Sequence, residues 1–176
     1  MVDHEIELQL LQPHHSIELF HLVNRNRYHL QKWLPWVNSF TSIEQYNHLI
    51  CKWMQQFKEY SGLHLGIRYK NSLAGVISLN FIDWFNSQTN IGYFLAEDFQ
   101  GKGIMSRSVH ALIRYVFNEV QLNRIEIKCG EYNQKSRAIP EKLGFKIEGI
   151  IRDGEMLNDQ FHNLLLYSML RREWRG

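Results

Sequence analysis

Apolar and polar residues alternate with period two across Ile6-Glu7-Leu8-Gln9-Leu10, which predicts a half-buried first strand. From Ser16 the spacing changes. Ile17, Leu19, Phe20 and Val23 suit a helix, and Tyr28 and Leu30 a short continuation that ends before Leu34-Pro35. Thr41-Ser42-Ile43-Glu44 opens another helix, with Ile43, Tyr46, Ile50, Trp53, Met54 and Phe57 on one face and Ser61-Gly62 at its end. Two apolar runs, residues 64–69 and 73–82, flank the turn-forming triplet Lys70-Asn71-Ser72. A third run, residues 90–95, follows the polar break Asn86-Ser87-Gln88-Thr89, so the middle of the chain reads as an antiparallel meander.

After Leu95 helix and strand alternate. Met105, Val109, Leu112, Ile113, Val116, Phe117 and Val120 form one stripe on a long helix. Residues 124–129 read as a short strand, 136–143 as a helix stopped by Gly144, and 147–151 and 164–169 as two closing strands, with Asp153-Gly154-Glu155 in a turn between them. This order predicts one α/β (α+β) domain over residues 1–176, a mixed and mostly antiparallel twisted sheet flanked by helices.

Composition narrows the class. The 176 residues are 44% hydrophobic and 22% charged, which excludes a disordered or low-complexity protein. A net charge of only +2 argues against a dedicated nucleic-acid binder. Cys51 and Cys129 lie far apart, so neither a disulfide framework nor a thiolate metal site is expected. His14, His15, His21 and His29 lack partners at ligand spacing, and no metal is expected there either. The N-terminus carries no basic-then-apolar leader and no run is long enough to span a bilayer, which gives the expectation of a reduced, cytoplasmic protein.

Candidate chemistry begins at Gln100-Gly101-Lys102-Gly103-Ile104-Met105-Ser106, between a predicted strand and a predicted helix. Two glycines let the backbone bend closely around a ligand. The first turn of a helix offers unpaired N–H groups and a positive dipole end, which suit a phosphate or diphosphate. Lys102 and Arg107 add positive charge in the sequence. The segment is not a P-loop, and Ser106 stands where a dinucleotide fingerprint needs glycine. Taken alone, it reads equally well as a glycine-rich helix start.

A second segment, Asn133-Gln134-Lys135-Ser136 followed by Glu141-Lys142-Leu143-Gly144-Phe145, changes this. The two segments in this order resemble the GNAT N-acetyltransferases. Trp33-Leu34-Pro35-Trp36, Glu148-Gly149, Arg152, Glu155 and residues 167–174 resemble the RimJ/RimL branch, which acetylates the N-terminal amines of ribosomal proteins.

The resemblance implies acetyl-CoA as co-substrate. Gln100, Gly101, Lys102, Gly103, Ile104 and Met105 would cradle its diphosphate, and Tyr93, Phe94 and Leu95 would pair with the pantetheine arm. Asn133 would hydrogen-bond that arm, and Ser136 would lie near the thioester sulfur. The family pattern has glycine or alanine where Met105 stands, a departure that is tolerable if the side chain turns into the core. Glu155 would be the general base and Ser136 the general acid, with an oxyanion donor in a bulged region at Phe94–Leu95. Residue by residue, plainer readings stand beside these: Glu155 as a surface carboxylate in a turn, Ser136 as a helix N-cap. Trp33, Trp36, Asn80, Tyr93 and His162 would shape an acceptor groove, or the tryptophans would simply pack.

The acceptor expected from the branch is an α-amine, whose ordinary pKa of ~7.7–8.0 leaves on the order of a tenth neutral at pH 7. A small amine such as a polyamine, amino sugar or antibiotic is the alternative acceptor. A sensor that binds acetyl-CoA without turnover is the alternative class. A homodimer would suit the branch.

Overall fold

A computed structural model describes residues 2–176. Seven strands form one sheet in the order β1-β2-β3-β4-β5-β7-β6. They are β1 (Ile6–Leu10), β2 (Leu63–Tyr69), β3 (Ser72–Asp83), β4 (Gln88–Leu95), β5 (Arg124–Gly130), β6 (Lys146–Leu157) and β7 (Gln160–Leu170). The helices are α1 (Ser16–Arg25), α2 (Arg27–Leu30), α3 (Ile43–Lys58), α4 (Ile104–Tyr115) and α5 (Gln134–Lys142). β1 to β4 are antiparallel neighbours, β4 and β5 are parallel, and β5, β7 and β6 are again antiparallel.

Local chemistry explains most of these elements. Ser42 and Gln45 close a capping box at the start of α3, where the Ser42 amide donates to Gln45 Oε1 at 3.0 Å. Lys70 and Asn71 both take positive φ, +49° and +68°, so the β2–β3 connection is a two-residue turn and Ser72 already pairs with Tyr69. β3 is buried from Leu73 to Leu79 because apolar layers cover both faces of the sheet. One layer packs α4 on Ile77, Leu79, Ile91, Ile125 and Tyr167. The other packs α1 and α3 on Leu73 and Val76.

Three predicted boundaries move. β4 begins at Gln88, inside the segment read as a polar break, because Gln88 and Thr89 pair with Asp83 and Ile82. The long helix ends as a separate π-helical turn, Val116–Val120, closed by Gln121 at φ +61°. β6 and β7 are far longer than expected, and their turn lies at Asn158 and Asp159, both at positive φ. Asp153-Gly154-Glu155 is therefore strand, not turn. Its polar residues mislead because β6 is an edge strand with one face in water.

Candidate active site

β4 and β5 pair over three residues only: Gln88, Thr89 and Asn90 against Arg124, Ile125 and Glu126. Beyond this seam the strands diverge, and a cavity of about 1310 Å³ opens between residues 91–95 and 128–130. At the seam, Arg124 of β5 reaches across the sheet to β6 rather than to β4: its guanidinium meets Glu126 at 2.7 Å and Glu148 at 2.6 Å. Arg124, with the Ser168 hydroxyl at 2.6 Å, holds the Glu148 carboxyl down at about 2. The bulge expected at Phe94–Leu95 is not there. Those residues keep continuous register with β3, whose irregularity with β4 lies between Leu79 and Ile82. The opening comes from parting strands rather than from an extra residue.

The loop after β4 lines one end of the cavity through Gln100, Gly101, Gly103, Ile104 and Met105. Gly101 and Gly103 have φ of +74° and +70°, a region that L side chains rarely adopt. Beyond the adjoining residues of the chain, nothing lies within 4 Å of where a Cβ would stand on either, so the backbone is uncovered on that side. Within α4, Arg107 donates its amide to the Gly103 carbonyl at 3.1 Å, and the N–H groups before it face out of the helix end. Met105 turns into the core. An anionic diphosphate fits this cradle of donors.

The two cations next to it in sequence face elsewhere. Lys102 donates to the Asp98 carbonyl at 2.7 Å and lies over the Phe99 ring. Arg107 is one turn along α4 and pairs with Asp3 at 2.8 Å and Glu5 at 3.1 Å. The cation brought to the loop is Lys135, from the start of α5, whose Nζ donates to Gln100 Oε1 at 2.8 Å.

The opposite wall is built on α5. Its N-cap is Asn133, whose Oδ1 accepts the Ser136 amide at 3.1 Å, so Ser136 is not the cap. Capping uses the Asn133 carbonyl and leaves its amide NH₂ for the cavity that Asn133 lines. Pro140 lies inside α5 and lacks the N–H that would bond the Ser136 carbonyl four residues back. The Tyr93 hydroxyl takes that place, donating to Ser136 O at 2.9 Å. Ser136 Oγ then sits 3.3 Å from Cys129 Sγ and 3.5 Å from the Tyr93 oxygen. Burial raises the pKa of both the Tyr93 phenol and the Cys129 thiol, so Ser136 has two protonated neighbours.

Glu155 reaches the same cavity from β6. Ile151 pairs with Leu164 and Glu155 with His162, so Arg152, Asp153 and Gly154 together oppose Asn163. This bulge re-aims the strand. It is held by Asn163, whose Oδ1 accepts the Asp153 amide at 3.0 Å and whose Nδ2 donates to Glu131 at 3.0 Å. Burial raises the Glu155 pKa above the ordinary glutamate value, with His162 pulling it back. His162 itself pairs across from Glu155 and is absent from the cavity wall.

Trp33, Trp36 and Asn80 line the remaining wall. Trp36 also packs edge-on to Phe40, 5.7 Å between ring centroids, and so serves core and cavity together. Trp33 lies over Gly130. Asn80 donates to Asn90 Oδ1 and accepts from Ser78 Oγ, both at 2.7 Å. The sequence reading missed Trp53 and His64, which stack at 4.5 Å and line the wall beside Asn80. Burial brings His64 down to about 4, so its ring is neutral at pH 7. Nothing local signals that meeting, since Trp53 reads as helix face and His64 as the start of a strand.

Splayed parallel strands, a glycine cradle at a helix end and carboxyl and hydroxyl groups facing one cleft define a cofactor-dependent group-transfer fold. The sequence family of the acetyltransferase (GNAT) domain matches residues 5–146, and the chain belongs to it. It is an N-acetyltransferase, in a family whose acyl donor is acetyl-CoA. A putative ribosomal N-acetyltransferase, YdaF of Bacillus subtilis (strain 168), is 40% identical over 176 residues, 99% of this chain and 96% of that protein. The solved structure of RimL, a ribosomal L7/L12 alpha-N-protein acetyltransferase in complex with coenzyme A, superposes with a TM-score of 0.94 at 32% identity, covering 97% of this chain and 96% of that one. The microcin C7 self-immunity acetyltransferase MccE, in complex with acetyl-CoA and AMP, has a TM-score of 0.92 at 34% identity, covering 96% and 94%. Among the described residues no helix is long and apolar enough to cross a membrane.

Proposed function

We infer that this chain acetylates the N-terminal α-amine of a ribosomal protein in the cytoplasm. The observation that carries the reading is that Glu155 of β6 and Ser136 of α5 line one cleft with Gln100, Gly101, Gly103, Ile104 and Met105 of the loop after β4. The relatives named for ribosomal N-acetylation support the acceptor class.

Acetyl-CoA supplies an activated thioester, and the chain supplies proton handling and position. The Asn133 amide and the loop N–H groups hold the donor, with its thioester toward Ser136. Glu155, with a raised pKa, takes the proton of the attacking amine, directly or through one water. Ser136 Oγ donates a hydrogen bond to the sulfur, which leaves as a thiolate and takes its proton from solvent, so the serine keeps its own; Tyr93 and Cys129 beside it stay protonated because they are buried. An N–H on the free edge of β4 receives charge developing on the acetyl oxygen.

A second reading, a small amine attached to a flat ring, is favoured by the aromatic faces of Trp33 and of the Trp53–His64 stack in the same wall. Labelled acetyl-CoA offered to stripped ribosomal proteins and, separately, to a pool of small amines decides between them by mass spectrometry. Label on one protein N-terminus supports the first reading. Label confined to small amines replaces it with the second.

A further inference from the structure

Gln100 is held from two sides by residues outside its loop. Lys135 Nζ donates to its Oε1 at 2.8 Å, and its Nε2 lies 2.7 Å from His29 Nε2. The chain of contacts has one direction. An ammonium can only donate, which fixes the amide oxygen toward Lys135. The amide nitrogen can only donate, which makes His29 Nε2 the acceptor of a neutral ring. All three residues line the cavity. Gln100 follows β4 and Lys135 follows β5, so this link joins the two strands' outgoing segments beyond the point where the strands part. Together with the three-residue seam it closes a ring around the cleft. Lys135 pairs with no carboxylate among the described residues. Its charge is held by the side chain of Gln100, the residue before Gly101, in the cavity that Gly101 and Gly103 also line.

We propose that Lys135 is a diphosphate-binding residue of the acetyl-CoA site, kept over the cleft by a His29–Gln100 clasp and released to the diphosphate when the clasp opens. This rests on the acetyl-CoA reading above. The clasp is proton-sensitive by construction. A protonated His29 sets N–H against N–H, and turning the amide to suit it sets NH₂ against the Lys135 ammonium. Protonation of His29 therefore frees Lys135. The ring's surroundings oppose that protonation: burial lowers its pKa and Lys135 and Lys32 lower it further, while Glu97 pulls the other way.

The test is calorimetric titration of the full chain with acetyl-CoA and with S-acetylpantetheine, which keeps the thioester and arm and lacks the diphosphate. Lys135→Met weakens acetyl-CoA binding about tenfold, the loss of one charge-assisted contact, and leaves S-acetylpantetheine unchanged. Equal weakening of both ligands, or none of acetyl-CoA, overturns the assignment. Lys135 is exposed, so its replacement does not threaten the fold. His29→Gln keeps an acceptor without a titrating ring. As the pH falls from neutral to well below the ordinary histidine pKa, the wild type gains acetyl-CoA affinity relative to this variant, and parallel behaviour of the two removes His29 from the clasp. A wild-type chain that binds neither thioester would overturn the acetyl-CoA reading itself, a result distinct from a wild type that binds both and a Lys135→Met variant that loses nothing.

Discussion

The two ends of the cleft are built by opposite means. The Gln100–Met105 loop is local: two glycines at positive φ and a helix end place a row of N–H groups within a few residues. The Glu155 end is long-range, because that carboxyl points into the cavity only through a bulge whose partner, Asn163, sits on another strand and is braced by Glu131 on a loop beyond β5. The backbone cradle therefore depends on neighbours in sequence, and the aim of the base depends on the register of a hairpin.

The sharpest break in that symmetry is Glu155→Gln. It is expected to lower kcat on the order of a hundredfold or more, in the range for loss of a general base, while the acetyl-CoA dissociation constant holds. Because burial raises the Glu155 pKa, activity rises with pH through a limb lying above the ordinary glutamate value, and the variant should lack that limb. An unaltered pH–rate profile would take Glu155 out of the chemistry. Gly103→Glu attacks the other end. Left-handed backbone strain and a carboxylate beside the cradle should weaken acetyl-CoA binding by on the order of a hundredfold in calorimetry. Normal binding by a folded variant would misplace the phosphate site.

Asn163→Leu tests the distant support. With the Asp153 amide and Glu131 both released, kcat is expected to fall about tenfold at unchanged acetyl-CoA affinity, since a loosened bulge misaims the base without touching the loop. Steady-state kinetics showing an unchanged kcat would mean that the bulge holds itself. The smallest effect belongs to Tyr93→Phe, which strands the Ser136 carbonyl and should cost about 1–2 kcal/mol of stability in urea titration. Adding Pro140→Ala restores an N–H to that carbonyl and should recover part of the loss. No recovery would deny that Tyr93 stands in for the missing helical bond.

The same contrast explains what was legible beforehand. All seven strands and the main helices are marked by period and by turn residues, and the two site motifs, Gln100–Met105 and Asn133–Ser136, are continuous in sequence. Glu155 is named by resemblance, but its setting is not readable: Asp153-Gly154-Glu155 looks like a turn, and only the pairing around Asn163 makes Arg152, Asp153 and Gly154 a bulge that places Glu155 in a strand. Charge misled for a related reason. Lys102 and Arg107 adjoin the loop in sequence, yet a helix turns neighbours to different faces, and the cation that arrives is Lys135, about thirty residues on. Trp53 and His64 meet only because α3 lies across β2.

Pro140 has a consequence for anyone wishing to redesign this cleft. By withholding one hydrogen from its own helix, it hands the anchoring of α5 to a tyrosine on the facing strand. The gap between those walls is thus a fixed dimension, set by a phenol spanning it like a strut in a frame. Selecting for new acceptors should enrich changes in what coats the walls, at Trp33, Trp53 or Asn80, and leave Tyr93 and Pro140 to vary together or not at all.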